Sequence, residues 1–137
     1  MTDYFEIILR LVLAVVAGGL IGLERRVVNK PAGVRTHMLV SLGSALFVLI
    51  TLETLPSEGG RIIAGIATGI GFLGAGTIFQ AKDAVHGLTT AASIWVVAAV
   101  GLGIGLGHYL MTITAVVLVL IILQLNNLEH FGKKIVK

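Results

Sequence analysis

Long uninterrupted apolar runs, rather than strand-like alternation, organise this chain. The stretches 62–81, 88–107 and 109–128 contain no Asp, Glu, Lys or Arg, and each reaches the roughly 20 residues that a helix needs to cross a hydrocarbon core of about 30 Å. A shorter run, 38–52, gains spanning length when Thr36 and His37 join its first turn, giving a span over 36–52. The run 11–23 crosses only if its helix starts near Tyr4 and carries Glu6 and Arg10 in the outer part of the membrane, giving a span over 4–23. The pattern predicts an all-α integral membrane bundle of five transmembrane helices, one domain over 1–137 with a short tail at 129–137. The opening residues Met-Thr-Asp-Tyr-Phe-Glu show neither a basic leader nor a small-residue cleavage site, so the first run is expected to remain as a span.

Composition agrees with lipid as the solvent: 56% of residues are hydrophobic and 12% charged, with a mean hydropathy of +1.01, far from a soluble domain. The pI near 9.6 could suggest nucleic acid, but the basic residues form short clusters between apolar runs without interleaved aromatics, so no nucleic-acid partner is expected. With no cysteine there is no disulfide framework, thiolate metal site or cysteine nucleophile. The basic residues also set an orientation, because Lys and Arg in short loops resist translocation. Arg25, Arg26, Lys30 and Arg35 lie in the loop 24–35, Lys82 lies between the third and fourth runs, and Lys133, Lys134 and Lys137 lie in the tail. The opposite side holds Arg61. The expected topology is N-terminus outside and C-terminus cytoplasmic, in a plasma membrane, with the bilayer as the first partner.

Glycine supplies the packing signal. Helices in lipid associate by close backbone approach and interhelical hydrogen bonds, which small residues permit. Ala14, Gly18 and Gly22 recur every fourth residue on the first span, in line with Arg10, and Gly65 and Gly69 repeat that spacing on the third. These faces are expected to pack within the bundle or in a homo-oligomer. Gly69, Gly71, Gly74 and Gly76 are denser still, and each costs about 1 kcal/mol of helix propensity. A second reading therefore stands beside packing, a helix broken near the midplane as in transporters.

Ionisable groups within a membrane are expensive and are functional-site candidates by default. Glu6 and Arg10 lie four residues apart and can pair along one helical turn. A richer cluster gathers on the cytoplasmic side: Glu24, Arg25, Arg35 and His37 from one segment, Asp83 and His86 from another, and Thr89, Thr90 and Ser93 at the start of the fourth span. Magnesium favours oxygen ligands from one or two carboxylates, and only Glu24 and Asp83 offer them among several cations. The charge suits a phosphate, a lipid headgroup or an acidic protein surface better. It equally suits cations that merely rest on anionic lipid. His37 and His86 are candidates for a proton-sensitive role, and none of the histidines has metal-ligand spacing, so the metal is left unknown. The chain has no H-E-x-x-H, P-loop or Gly-x-Ser-x-Gly motif and is read as non-enzymatic and without a cofactor, magnesium being retained as ligand or substrate.

Four motifs in order carry a family resemblance: Gly19-Leu-Ile-Gly-Leu-Glu-Arg25, Pro31-Ala-Gly-Val-Arg-Thr-His-Met-Leu-Val40, Gly69-Ile-Gly-Phe-Leu-Gly-Ala-Gly76 and Gly87-Leu-Thr-Thr-Ala-Ala-Ser-Ile-Trp95. The stretch 11–109 resembles the N-terminal membrane domain of the MgtC/SapB family, and the chain reads as a short member without that family's soluble C-terminal domain. The resemblance implies a bacterial inner-membrane protein that supports magnesium or ion homeostasis and adaptation to low magnesium, as a regulator or small transport component. In virulent relatives it implies survival inside host cells. It also implies an alternative, an interaction module that docks onto and modulates a larger membrane complex such as the ATP synthase, alongside links to acid or phosphate stress.

Overall fold

The computed structural model describes the backbone over residues 3–81 and 84–135, and the side chains over 3–81 and 84–125. Five α-helices account for nearly all of it: α1 (Tyr4–Val27), α2 (Val34–Thr54), α3 (Gly59–Ala75), α4 (Leu88–Gly105) and α5 (Tyr109–Ile135). A 3-10 turn, Pro56–Glu58, leads into α3, and an antiparallel hairpin of β1 (Phe79–Ala81) and β2 (Ala84–His86) joins α3 to α4. Among the described residues, α1, α2 and α4 are long and apolar enough to cross a membrane. The architecture is an all-α membrane bundle.

The helix ends follow from local chemistry. At the end of α1, Asn29 takes a left-handed φ of 54°. Its N–H donates to Arg26 O and that of Lys30 to Arg25 O, both at 3.0 Å. This is a Schellman cap with Asn as the left-handed residue, and Pro31 prevents the helix from resuming. Gly107, at φ 80°, closes α4 in the same way, with Gly107 N–H donating to Ile104 O and His108 N–H to Gly103 O. Helix α2 stops at Leu55, whose extended φ of −143° reflects the clash that Pro56 imposes on its predecessor.

The third run departs from the sequence expectation. A span over 62–81 was predicted, but α3 ends at Ala75, and its 17 residues rise only about 26 Å. Beyond Ala75 the Thr77 hydroxyl donates to Gly74 O at 2.8 Å, Thr77 and Ile78 make tight turn bonds, and Phe79 pairs with His86. The broken-helix reading is also overturned. The helix is continuous through Gly69, Gly71 and Gly74, and the Gly76 N–H still donates to Phe72 O at 3.1 Å.

The core lies where α1, α2 and α4 meet, around Ala14, Ile21, Ala45, Ile94 and Val97. Backbones nearly touch there. A Cβ on Gly18 would sit 2.5 Å from His37 O, one on Gly22 2.6 Å from Val34 Cα, and one on Gly101 would overlap Ser41 O. The glycine face of α1 is thus filled by α2 of the same chain. Gly65, Gly69 and Gly71 differ, because a Cβ at any of them meets nothing within 4 Å. They were expected to pack, and within this chain they do not. Helix α3 leans on α4 through Gly74, its one buried residue, against Ala91, and Gly76 closes only on its own turn, near Leu73 O.

Gly101→Leu should destabilise the protein by about 1–3 kcal/mol through overpacking. Gly43→Ala, which meets open space, should be neutral or stabilising by up to about 1 kcal/mol. Unfolding in detergent, followed by circular dichroism, would rank the two.

Candidate functional site

Two buried polar groups, an ion pair and a histidine–hydroxyl bridge, lie at the end of the bundle where α1 finishes and α2 and α4 begin. The last turns of α1 supply Glu24 and Arg25, the first turn of α2 supplies His37, and the opening turns of α4 supply Thr90 and Ser93. Arg25 is 1% exposed and His37 fully buried, as are Ser41, Thr90 and Ser93 to within a few per cent. The Arg25 guanidinium donates through Nε to Glu24 Oε2, and the Glu24 side chain is 9% exposed.

His37 bridges two helices. Its Nδ1 lies 2.9 Å from Gly33 O, and because a carbonyl only accepts, Nδ1 carries a hydrogen. Its Nε2 lies 3.1 Å from Ser93 Oγ, and that hydroxyl donates to Thr90 O at 2.8 Å. A neutral ring with its hydrogen on Nδ1 accepts the Ser93 hydroxyl at Nε2, and Thr90 O, inside α4, keeps its own helical bond. Two buried acceptors, Glu24 Oε1 and Ser41 Oγ, have no hydrogen-bond partner among the described residues, an uncommon state for buried polar atoms.

The sequence-predicted residues divide into two groups. Glu24, Arg25, His37 and Thr90 come together inside the bundle, while Arg35, His86 and Thr89 are exposed, with His86 stacked on Phe79 at a ring separation of 5.3 Å. Asp83 and Lys82 lie outside the described residues. Arg35 borders a small cleft of about 290 Å³ with Arg26 and Thr36, whereas Arg25, buried and paired, is not presented to a surface anion. Among the described residues no three His, Asp or Glu converge as metal ligands. The sequence reading missed Ser41, although His37, Ser41, Ser44 and Thr51 form a polar stripe at helical spacing on α2, all of it buried.

At the far end of the bundle, Arg10 pairs with Glu6 and also donates through Nη1 to Gly105 O at 2.6 Å. It thereby supplies a partner to a carbonyl that the end of α4 leaves free. This charge ties α1 to α4.

The MgtC family model matches residues 11–131, which takes in Glu24, Arg25, His37, Thr90 and Ser93 and runs into α5, beyond the motif-bearing stretch. The chain belongs to the MgtC family. It is 43% identical over 129 residues to the YhiD protein of Escherichia coli (strain K12), whose name marks it as a candidate magnesium transporter, covering 88% of this chain and 60% of that protein. It is 47% identical over 98 residues to the MgtC protein of Salmonella typhimurium (strain LT2), covering 72% and 42%. To the SrpB protein of Synechococcus elongatus it is 41% identical over 114 residues, covering 72% and 63%. The chain thus spans less than two thirds of these relatives. No solved structure matches it.

Neutralising one partner of a buried pair strands the other, so Glu24→Gln should cost about 3 kcal/mol. The Glu24→Leu/Arg25→Met double variant, which removes both charges, should recover more than half of that loss in the same detergent unfolding assay.

Proposed function

We propose that this chain is a bacterial inner-membrane component of magnesium homeostasis that acts as a regulator, with the buried Glu24–Arg25 pair and the His37–Ser93 bridge as its working elements. The observation that carries this reading is the burial of an ion pair and an imidazole at a three-helix crossing, where such groups are costly unless used. Magnesium enters through the relatives, among which YhiD is named as a candidate magnesium transporter. A regulatory role suits the charge, since Arg25 already holds one Glu24 oxygen and its own charge repels a bare divalent ion. The basic loop 24–35 and the basic tail support a cytoplasmic location for this end, with the N-terminus outside.

Ser93→Ala removes one hydroxyl and little volume, so it separates function from folding. In a bacterium lacking its own relative, the wild-type protein should restore growth in low magnesium, and Ser93→Ala at equal abundance should restore substantially less. Proteoliposomes loaded with the protein should pass no more magnesium than empty vesicles. Flux above that background which falls in Ser93→Ala would replace regulation with transport.

A further inference from the structure

A groove of about 580 Å³ runs between α2 and α3, apart from Glu24, Arg25, His37 and Ser93. Its floor is glycine. Gly43 from α2 and Gly65 and Gly69 from α3 line it, and a Cβ at each would meet nothing within 4 Å. Phe47 and Ile66 form its walls, and Arg61 lies at one mouth with its side chain 85% exposed. Such a cleft leaves its lining atoms without van der Waals partners on one side, and in a bilayer water does not fill it.

The dimensions select the occupant. From residue 61 to residue 73 the groove follows α3 for about 18 Å, close to the roughly 15 Å depth of one leaflet, half the hydrocarbon core. A flexible hydrocarbon chain laid along α3 fits that length. The mouth carries a matching headgroup contact: Arg61 donates through Nη1 to Glu58 at 3.0 Å, which leaves the rest of its guanidinium fork for a phosphate.

We infer that the α2–α3 groove is a binding site for one anionic phospholipid, with an acyl chain laid over Gly43, Gly65 and Gly69 and the phosphate at Arg61. The glycines keep the floor open, and the arginine distinguishes this lipid from its zwitterionic neighbours.

The test is native mass spectrometry of the delipidated protein titrated with palmitoyl-oleoyl-phosphatidylglycerol or the matching phosphatidylcholine. Wild type should retain one phosphatidylglycerol about fivefold more strongly than phosphatidylcholine. Gly65→Leu/Gly69→Leu should retain neither above background, and its helical circular dichroism should be unchanged because both side chains enter open space. Arg61→Gln should lose the headgroup preference alone, a readout that stands even if the leucine variant fails to fold. Equal retention by wild type and the leucine variant would overturn the site, as would an unchanged preference in Arg61→Gln. A lipid-free dimer cross-linked between copies through Gly43→Cys and Gly65→Cys would also overturn it, giving the groove to a second copy of the chain.

Discussion

Hydrocarbon surrounds a membrane bundle as comfortably as leucine does, so helices there are held by how closely their backbones can approach. In this protein that approach is concentrated on α2. Gly18 and Gly22 of α1 press it from one side near His37 O and Val34 Cα, and Gly101 of α4 presses from another on Ser41 O. Each glycine costs about 1 kcal/mol of helix propensity, and the return is a three-helix crossing tight enough to fix side-chain positions. His37 reaches Ser93 because the first turns of α2 and α4 cannot drift apart.

Two arginines at opposite ends of α1 show how differently such a scaffold can use a charge. Arg10 completes a helix terminus: it pairs with Glu6 and donates to Gly105 O, and its guanidinium occupies the space a side chain at Gly107 would need. Arg25 is also paired, but its partner keeps one buried oxygen unmatched, and Ser41 Oγ nearby along α2 is unmatched as well. A terminus that only needed to be closed would not leave two acceptors open at a cost of about 1–3 kcal/mol each. The asymmetry sets apart an end whose polar groups are matched from one whose buried polar atoms are not.

The sequence made most of this arrangement legible. Uncharged runs predicted the helices, loop position assembled Glu24, Arg25, His37 and Thr90, and four-residue spacing located the contact face of α1. Its failures share one cause, which is that spacing identifies a face without saying what covers it. Gly65 and Gly69 repeat the pattern of Gly18 and Gly22, yet one pair meets open space and the other meets backbone. Hydropathy likewise does not register the turn at Thr77, since Ile78, Phe79 and Ala81 are as apolar in a hairpin as in a helix. The α1 cap depended on Asn29 adopting a left-handed conformation, a choice that polar loop composition permits without dictating.

The seating of α3 bears on Thr90 and Ser93. Its one buried residue, Gly74, lies against Ala91, in the turn of α4 between Thr90 and Ser93, where an added Cβ would sit 3.4 Å from the Ala91 carbonyl oxygen. The connection from α3 to α4 closes on that same turn, because Gly87, at φ 88°, packs onto Thr77 O while its own carbonyl accepts from Ala91 N–H. Side chains cannot be added at Gly87 without moving Thr77, so the hairpin holds the end of α3 in register with Thr90 and Ser93. Helix α3 is half-buried at Ile62, Ile66 and Ile70 and fully buried only at Gly74, so its tightest seat on the bundle is the turn of α4 that carries Thr90 and Ser93.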